Sequence, residues 1–320
     1  MDKQYVIGID IGGTNTVIGV VDARGSVLGS TSIKTQVCEK FEDYISEIYK
    51  AATALLESLD LTGKIHGIGV GAPNANHYTG NIENAANLRW KGILPLCELL
   101  SQKFGIPTSC TNDANAAAIG EMTYGAARGM KNFIMITLGT GVGSGIVANG
   151  QVLYGCDGYA GELGHVIVKE NNGRKCGCGR SGCLECYCSA TGVSRTAREF
   201  IETTDIPSIL REIHVDEITS KHVYDAAIQG DELSKKIFEF TGEILGKAFA
   251  NFVAFSAPEA IILFGGLANA GELLLAPVRK AMEENVLFVW KDKVKILASE
   301  LKDADAAVLG ASALGWEADK

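Results

Sequence analysis

Proline is scarce, with six in 320 residues, and no Pro/Ser-rich or low-complexity stretch divides the chain. Any domain boundary is therefore predicted to be a packed hinge rather than a linker. No apolar run reaches the roughly 18 residues of a membrane span, and Asp10 interrupts the first apolar strand. The opening residues Met1 to Ile7 hold no secretory apolar core followed by a small-residue cleavage site, so a soluble, cytoplasmic protein is expected. Basic residues are outnumbered, 29 Lys and Arg against 38 Asp and Glu for a net charge of −9. No basic cluster is long enough to track a phosphate backbone, which leaves neither nucleic acid nor a membrane as an expected partner.

What is present is a globular composition, 47% hydrophobic and 21% charged, on a chain long enough for two domains. Cysteine is plentiful, with nine residues, and it is concentrated. The run Cys176-Gly-Cys178-Gly-Arg-Ser-Gly-Cys183-Leu-Glu185 begins eleven residues after His165 in Gly161-Glu162-Leu-Gly-His165. Three thiolates and one imidazole on a Gly-punctuated loop can close a tetrahedral shell around Zn²⁺. Disulfides would need an oxidising compartment, and an iron–sulfur cluster could recruit Cys186 or Cys188 as a fourth thiolate; the tight Cys-x-Cys pair with an upstream His fits structural zinc better. Glu162 and Glu185 are carboxylates that a four-ligand shell does not need, and they are expected to face a polar substrate. The isolated Cys38, Cys97, Cys110 and Cys156 read as small core residues.

The first segment, Val6-Ile-Gly-Ile-Asp10-Ile-Gly12-Gly13-Thr14-Asn15 onward to Gly25, predicts a β-hairpin, with a third strand from Ser26 to Ile33. A near copy starts at Phe133 and turns through Gly139-Thr140-Gly141-Val-Gly143. Ile9, Gly12, Val20 and Asp22 match Ile136, Gly139, Val147 and Asn149 at a constant offset of 127. The chain therefore reads as two diverged halves. Glycines at a hairpin tip let backbone N–H groups point into one concavity, and a neighbouring Thr or Asn adds a donor, which suits phosphate oxygens. One such tip alone is most simply a tight turn; two predict a clasp for a polyphosphate. Neither is a Walker A loop or a Rossmann fingerprint. Asp10, two residues before the glycines, is placed to meet Mg²⁺ and its waters beside a triphosphate.

Between the hairpins, a buried strand from Ile65 to Val70 runs into Gly71-Ala-Pro73-Asn74 and an Asn-rich loop through Asn84, Asn87 and Trp90. Such a loop offers uncharged donors and acceptors, with Asn74 and Asn87 as candidate substrate contacts. A second strand, 107–111, ends at Asn112-Asp113 before the Ala-rich helix 114–124. Asp113 is either that helix's N-cap or a general base at a strand's C-terminal end, the edge at which open α/β sheets bind ligands.

Taken in order, Asp10-Ile-Gly-Gly-Thr14, Asn112-Asp113-Ala-Asn115-Ala, Gly139-Thr-Gly-Val-Gly143, Gly161-Glu-Leu-Gly-His165 and Cys176-x-Cys178-Gly-x-x-Gly-Cys183-x-Glu185 make the chain resemble sugar kinases of the ROK family, above all its glucokinase branch. The resemblance covers nearly the whole chain. It implies an α/β, actin-like (ribonuclease-H-like) ATPase fold of two lobes with a duplicated β-hairpin phosphate clasp: residues 1–113 plus 304–320 as a small lobe, and 114–303 as a large lobe with its zinc loop at 165–188. It further implies that ATP with Mg²⁺ phosphorylates a hexose, glucose first. Asp113 would remove the hydroxyl proton, Asn112, Glu162, His165 and Glu185 would bind the other hydroxyls, and His165, Cys176, Cys178 and Cys183 would hold Zn²⁺. One ring nitrogen of His165 can ligate the metal while the other meets the sugar. Ile261 to Asn269 resembles the family's adenosine-side loop, with Gly265 and Gly266 allowing close approach; by itself it is a strand and a turn.

Fructose, mannose, N-acetylglucosamine and N-acetylmannosamine remain alternative sugars, since spacing does not resolve hydroxyl placement. A sugar-responsive repressor is disfavoured, because only nine residues precede Asp10 and no recognition helix fits there. Cys186 and Cys188 stand where the family usually has small residues. Helices are expected at 189–202, 232–255, 271–289 and 304–317, with a strand at 260–264. Ile237, Phe240, Ile244 and Leu245 are expected in the core, and the family resemblance implies a homodimer or homotetramer.

Overall fold

The computed structural model describes residues 4–301 and 303–318. Its chain order opens with β1 (Tyr5–Ile11), β2 (Asn15–Asp22), β3 (Val27–Lys34), α1 (Phe41–Ser58), β4 (Ile65–Gly71), the short β5 (Ile82–Glu83) and β6 (Ile93–Leu94), α2 (Leu96–Phe104), β7 (Thr108–Thr111) and α3 (Asp113–Tyr124). There follow β8 (Phe133–Leu138), β9 (Val142–Ala148), β10 (Gln151–Val152), α4 (Glu185–Cys188), α5 (Ala190–Thr203), α6 (Ser220–Ile228), α7 (Glu232–Ser256), β11 (Ala260–Phe264), α8 (Glu272–Asn285), β12 (Lys295–Ala298) and α9 (Asp303–Gly315). Among the described residues, no helix is long and apolar enough to cross a membrane.

The chain forms two compact units, one of residues 1–130, 145–161 and 299–320, the other of 131–144 and 162–298. This division differs from the one expected at residue 113. Helix α3 stays with the first unit because it packs along α9, where glycine brings the two backbones together: a Cβ on Gly120 would stand 2.8 Å from Gly310 Cα.

The two halves repeat one topology. The first sheet runs β3-β2-β1-β4-β7 and the second β10-β9-β8-β11-β12, so each has a hairpin and a third strand on one side and two parallel additions on the other. The offset of 127 between the hairpins therefore reports a duplicated sheet.

Alternation along the strands explains how the first unit is layered. Ile7, Ile9, Ile18 and Val20 share a core with Tyr44 and Ile48 of α1 and Leu96 and Leu100 of α2. The opposite face carries glycines, and α9 lies directly on it against β1 and β4. A Cβ on Gly69 would fall 1.9 Å from the Ala311 carbonyl oxygen, and one on Gly8 2.3 Å from that of Val308. Both obstacles are backbone, which cannot swing aside, so Gly69→Ala is expected to cost about 3 kcal/mol by overpacking. Thermal denaturation reads this out; an unchanged Tm would mean that α9 lies further from the sheet.

In the second unit, α7 and α8 pack closely. A Cβ on Gly246 would lie 2.4 Å from the Val278 carbonyl oxygen, and Pro277 within α8 stands over Gly242. Ile237 and Leu245 are buried as expected, whereas Phe240 and Ile244 are half-buried at the edge of that core. Helix α8 stops at Asn285, short of Val289: Val286 is extended, and Phe288–Trp290 form a separate 3₁₀ turn.

Candidate active site

Carboxylates in the first unit gather at the strand ends. After Asp10 the chain turns through Gly12 and Gly13, and the Gly12 N–H donates to the Asn15 carbonyl at 3.0 Å. Thr35 braces the turn: its hydroxyl donates to the Gly12 carbonyl at 2.8 Å and its N–H to that of Thr14 at 3.0 Å. Lys34 donates to the Asn15 side chain at 2.8 Å. Asn87 lies against Gly13, and Gln36 donates to the carbonyls of both. Asn74 is exposed and left-handed, at φ 53°, with its amide donating to the Glu83 carbonyl at 3.0 Å.

Strand β7 leads straight into α3, and the N-cap is Asn112, whose side-chain oxygen accepts from the Asn115 N–H at 2.7 Å. Asp113 is thereby released from capping and becomes the first helical residue. Its Oδ1 accepts from the Ala114 N–H at 2.8 Å, and solvent still reaches the side chain. Gly71, paired with Asp10 across β1 and β4, stands beside it. A Cβ on Gly71 would be 3.8 Å from Asp10 Oδ1 and 3.9 Å from Asp113 Cα, so the absent side chain leaves the two acidic residues close together.

Burial, and then the Asp113 charge, raises the Asp10 pKa to about 6. Surrounding protein partly desolvates the solvent-reached Asp113 carboxyl and raises its pKa too, against hydrogen bonds from its own and the Ala114 N–H. The consequence for stability has a definite sign. Asp10 binds its proton more tightly folded than unfolded, so its contribution is complete below about pH 4 and is lost as pH rises through about 6. The loss is on the order of 2–3 kcal/mol at pH 8. Without nucleotide or Mg²⁺, Asp10→Asn is expected to be more stable than wild type at pH 8, with the advantage fading by pH 4.5. Tm measured against pH checks this, and parallel profiles would reject it.

In the second unit, the Gly139 N–H donates to the Gly141 carbonyl at 3.1 Å, and the start of α5 anchors the turn. The Ala190 N–H donates to the Gly139 carbonyl at 2.8 Å, and the Thr191 hydroxyl to that of Thr140 at 2.9 Å. The turn 163–165 lies on the start of β9: the Leu163 N–H donates to Ser144 Oγ at 3.0 Å, and a Cβ on Gly164 would stand 2.0 Å from the Val142 carbonyl oxygen. Glu162 is exposed, directly before the 3₁₀ turn that carries His165. A Cβ on Gly141 would lie 2.8 Å from Glu185 Oε2. The glycine turn and the acidic loop are therefore in direct contact within one unit.

His165, Cys176, Cys178 and Cys183 offer donor atoms that all lie within 4.8 Å of one another. Cys178 Sγ and Cys183 Sγ are 3.7 Å apart, as are Cys176 Sγ and His165 Nδ1. A tetrahedral ion with Zn–S bonds near 2.3 Å requires edges of about 3.8 Å, so the set fits the metal. Hydrogen bonds from the Arg180 N–H and side chain favour the thiolate of Cys178, whereas burial raises the Cys176 and Cys183 thiols. Glu185 Oε1 lies at the edge of this shell, 3.0 Å from Cys176 Sγ and 3.6 Å from His165 Nδ1.

Several residues that pattern reading passed over complete the second unit. Arg174, buried at 6% exposure, bonds both oxygens of Glu199 and the carbonyls of Cys186 and Gly192, and its guanidinium lies 4.5 Å from the Tyr187 ring centre. It clamps the cysteine loop to α4 and α5. A cavity of about 560 Å³ opens beside the glycine turn, lined by Gly139, Thr140, Lys221, Tyr224, Gly266 and Asn269. Gly265, which precedes Gly266, is left-handed at φ 102°, where a Cβ would meet the Leu138 carbonyl oxygen at 2.7 Å. Lys221 and Tyr224 come from α6, and nothing in a nine-residue helix with a polar face announces a pocket wall.

The chain belongs to the ROK family, whose pattern it matches over residues 6–317. It is 35% identical to a glucokinase of Thermotoga maritima, covering 98% of each chain, and 34% identical to one of Halalkalibacterium halodurans, covering 99% of this chain and 95% of that one. The structure of a ROK family glucokinase from Streptomyces griseus, in complex with glucose and AMPPNP, superimposes with a TM-score of 0.80 at 33% identity, over 98% of this chain and 99% of that one. The actin-like ATPase fold expected from the motifs is the fold observed.

Proposed function

We propose that this chain transfers the γ-phosphoryl group of ATP to a hydroxyl of a hexose, converting glucose to glucose 6-phosphate. The observation that carries the proposal is the contact of Gly141 with Glu185, which sets a phosphate-type turn beside side chains suited to polyol binding. The relatives named above support glucose as the sugar and ATP as the donor.

In this scheme the turns at Gly12–Asn15 and Gly139–Gly143 hold the phosphates, and the 560 Å³ cavity with Gly265 and Gly266 takes the adenosine. Asp10 would hold Mg²⁺ through its waters, and that charge would favour the ionised carboxylate and offset the charge on the phosphate oxygens. The sugar hydroxyls are assigned to Glu162, Glu185 and the second ring nitrogen of His165 in one unit and to Asn112 in the other, as the family resemblance implies, with Asn74 and Asn87 of that other unit as further candidates. His165, Cys176, Cys178 and Cys183 would hold Zn²⁺, which would brace the 165–188 segment structurally rather than act as a Lewis acid. Asp113 accepts the proton of the attacking hydroxyl; its raised pKa keeps it basic enough to do so late in a loose transition state.

Water would compete for the γ-phosphate, so much of the acceleration must come from aligning the sugar hydroxyl. A panel of hexoses and acetylated hexosamines, ranked by kcat/KM with ATP, tests the substrate. Glucose is expected to lead by about tenfold or more, since a site with fixed hydroxyl partners rejects sugars that leave them unpaired. Equal rates on every sugar would reject a dedicated glucokinase.

A further inference from the structure

His165, Cys176, Cys178 and Cys183 supply the four donors that a tetrahedral metal shell needs, which leaves two neighbouring cysteines without a task. They differ in kind. Cys188 is fully buried, and its thiol donates to the Thr241 carbonyl at 3.6 Å; no reagent reaches it. Cys186 is half-buried, one residue beyond Glu185 on α4, with its Sγ only 3.6 Å from the carbonyl oxygen of Lys175, the residue next to Cys176. Because Lys175 is joined to Cys176 by a peptide bond, that contact sets the Cys186 sulfur against the backbone of a shell cysteine. Cys176 is in turn the ligand nearest to Glu185, with Sγ 3.0 Å from Oε1. A spare, reachable thiol thus stands beside the one shell cysteine that touches a proposed sugar ligand.

We propose that Cys186 and Cys176 are a redox modification site, forming a disulfide that removes Cys176 from the metal shell and weakens sugar binding. The proposal rests on the zinc shell described above. The oxidant is a small disulfide such as glutathione disulfide. The Cys186 sulfur attacks one of its sulfurs, breaking the S–S bond and releasing one glutathione as thiol. The Cys176 sulfur then attacks Cys186 in the mixed disulfide and expels the second glutathione. The Cys186 thiol gives its proton to the first glutathione, Cys176 reacts as the thiolate it is on the metal, and the second glutathione takes its proton from water; two protein sulfurs are oxidised while one disulfide is reduced to two thiols. Drawn toward Cys186, Cys176 no longer holds its place against His165 and Glu185. Three ligands remain, and the metal is held far more weakly.

The test exposes purified protein of measured zinc content to millimolar glutathione disulfide. Released zinc is followed with a chromogenic chelator, disulfides are mapped by peptide mass spectrometry, and glucose binding is measured by calorimetry. Wild type is expected to yield a Cys176–Cys186 peptide, to release its zinc and to bind glucose about tenfold more weakly, all reversed by dithiothreitol with added zinc. Cys186→Ala is expected to keep its zinc and its glucose affinity under the same exposure, while Cys188→Ala behaves as wild type. Zinc release from Cys186→Ala at the wild-type rate, or a disulfide mapped only to Cys178–Cys183, would overturn the proposal. Protein isolated without zinc would reject the metal shell instead, and the peptide map would still decide the pairing.

Discussion

Asp113→Asn is expected to lower kcat by about 10³-fold while glucose binds with nearly unchanged affinity. The amide matches the carboxylate in shape and can still accept the Ala114 N–H seen at 2.8 Å, but it cannot take a proton from a sugar hydroxyl. General-base removal typically costs 10²–10⁴ in rate, so the loss belongs in kcat and not in KM. The N-cap role does not confuse the experiment, because Asn112 supplies the cap. Asp113→Ala should behave alike. Calorimetry for glucose beside a coupled ADP assay separates binding from turnover, and near-normal turnover in either variant would remove Asp113 from the chemistry.

Cys178→Ser, or prolonged chelation, is expected to reduce glucose affinity and thermal stability together. The ligands come from a Gly-rich loop with little regular structure, and the metal's binding energy is then the loop's folding energy. Losing a structural metal is among the few single changes that cost about 4 kcal/mol or more, roughly 5–10 °C in Tm for a chain this size. Glu185 and His165 border the same shell, so the sugar ligands lose their positions as the loop loosens. An intact Tm with reduced affinity, or the reverse, would separate two effects that are held here to be one, and a native protein containing no zinc would refute the basis for both.

Much of the architecture was legible because a short, physically demanding pattern occurs twice. Gly12 and Gly139 recur at a fixed offset, and the two sheets share one strand order. The cysteine cluster was legible because chelation needs particular side chains within a short span, and the fold brings that set together. Asp113 was ambiguous in one dimension: Asp and Asn are both good caps, and only the backbone assigns that task to Asn112.

Other features depended on packing across long separations. The boundary between the units moved because Gly120 and Gly310, 190 residues apart, let two helices touch. Lys221 and Tyr224 reach the cavity beside Gly139 from α6, and helical periodicity marks their side of the helix only as surface. Arg174 looked like one more cation in a glycine-rich loop, yet it is buried under a network that no spacing encodes.

The most direct test of the central claim is a coupled ADP-release assay on the purified protein with ATP, Mg²⁺ and glucose. ADP release that requires glucose, matches glucose 6-phosphate mole for mole and vanishes in Asp113→Asn is the predicted result. ADP release that no hexose stimulates would contradict it.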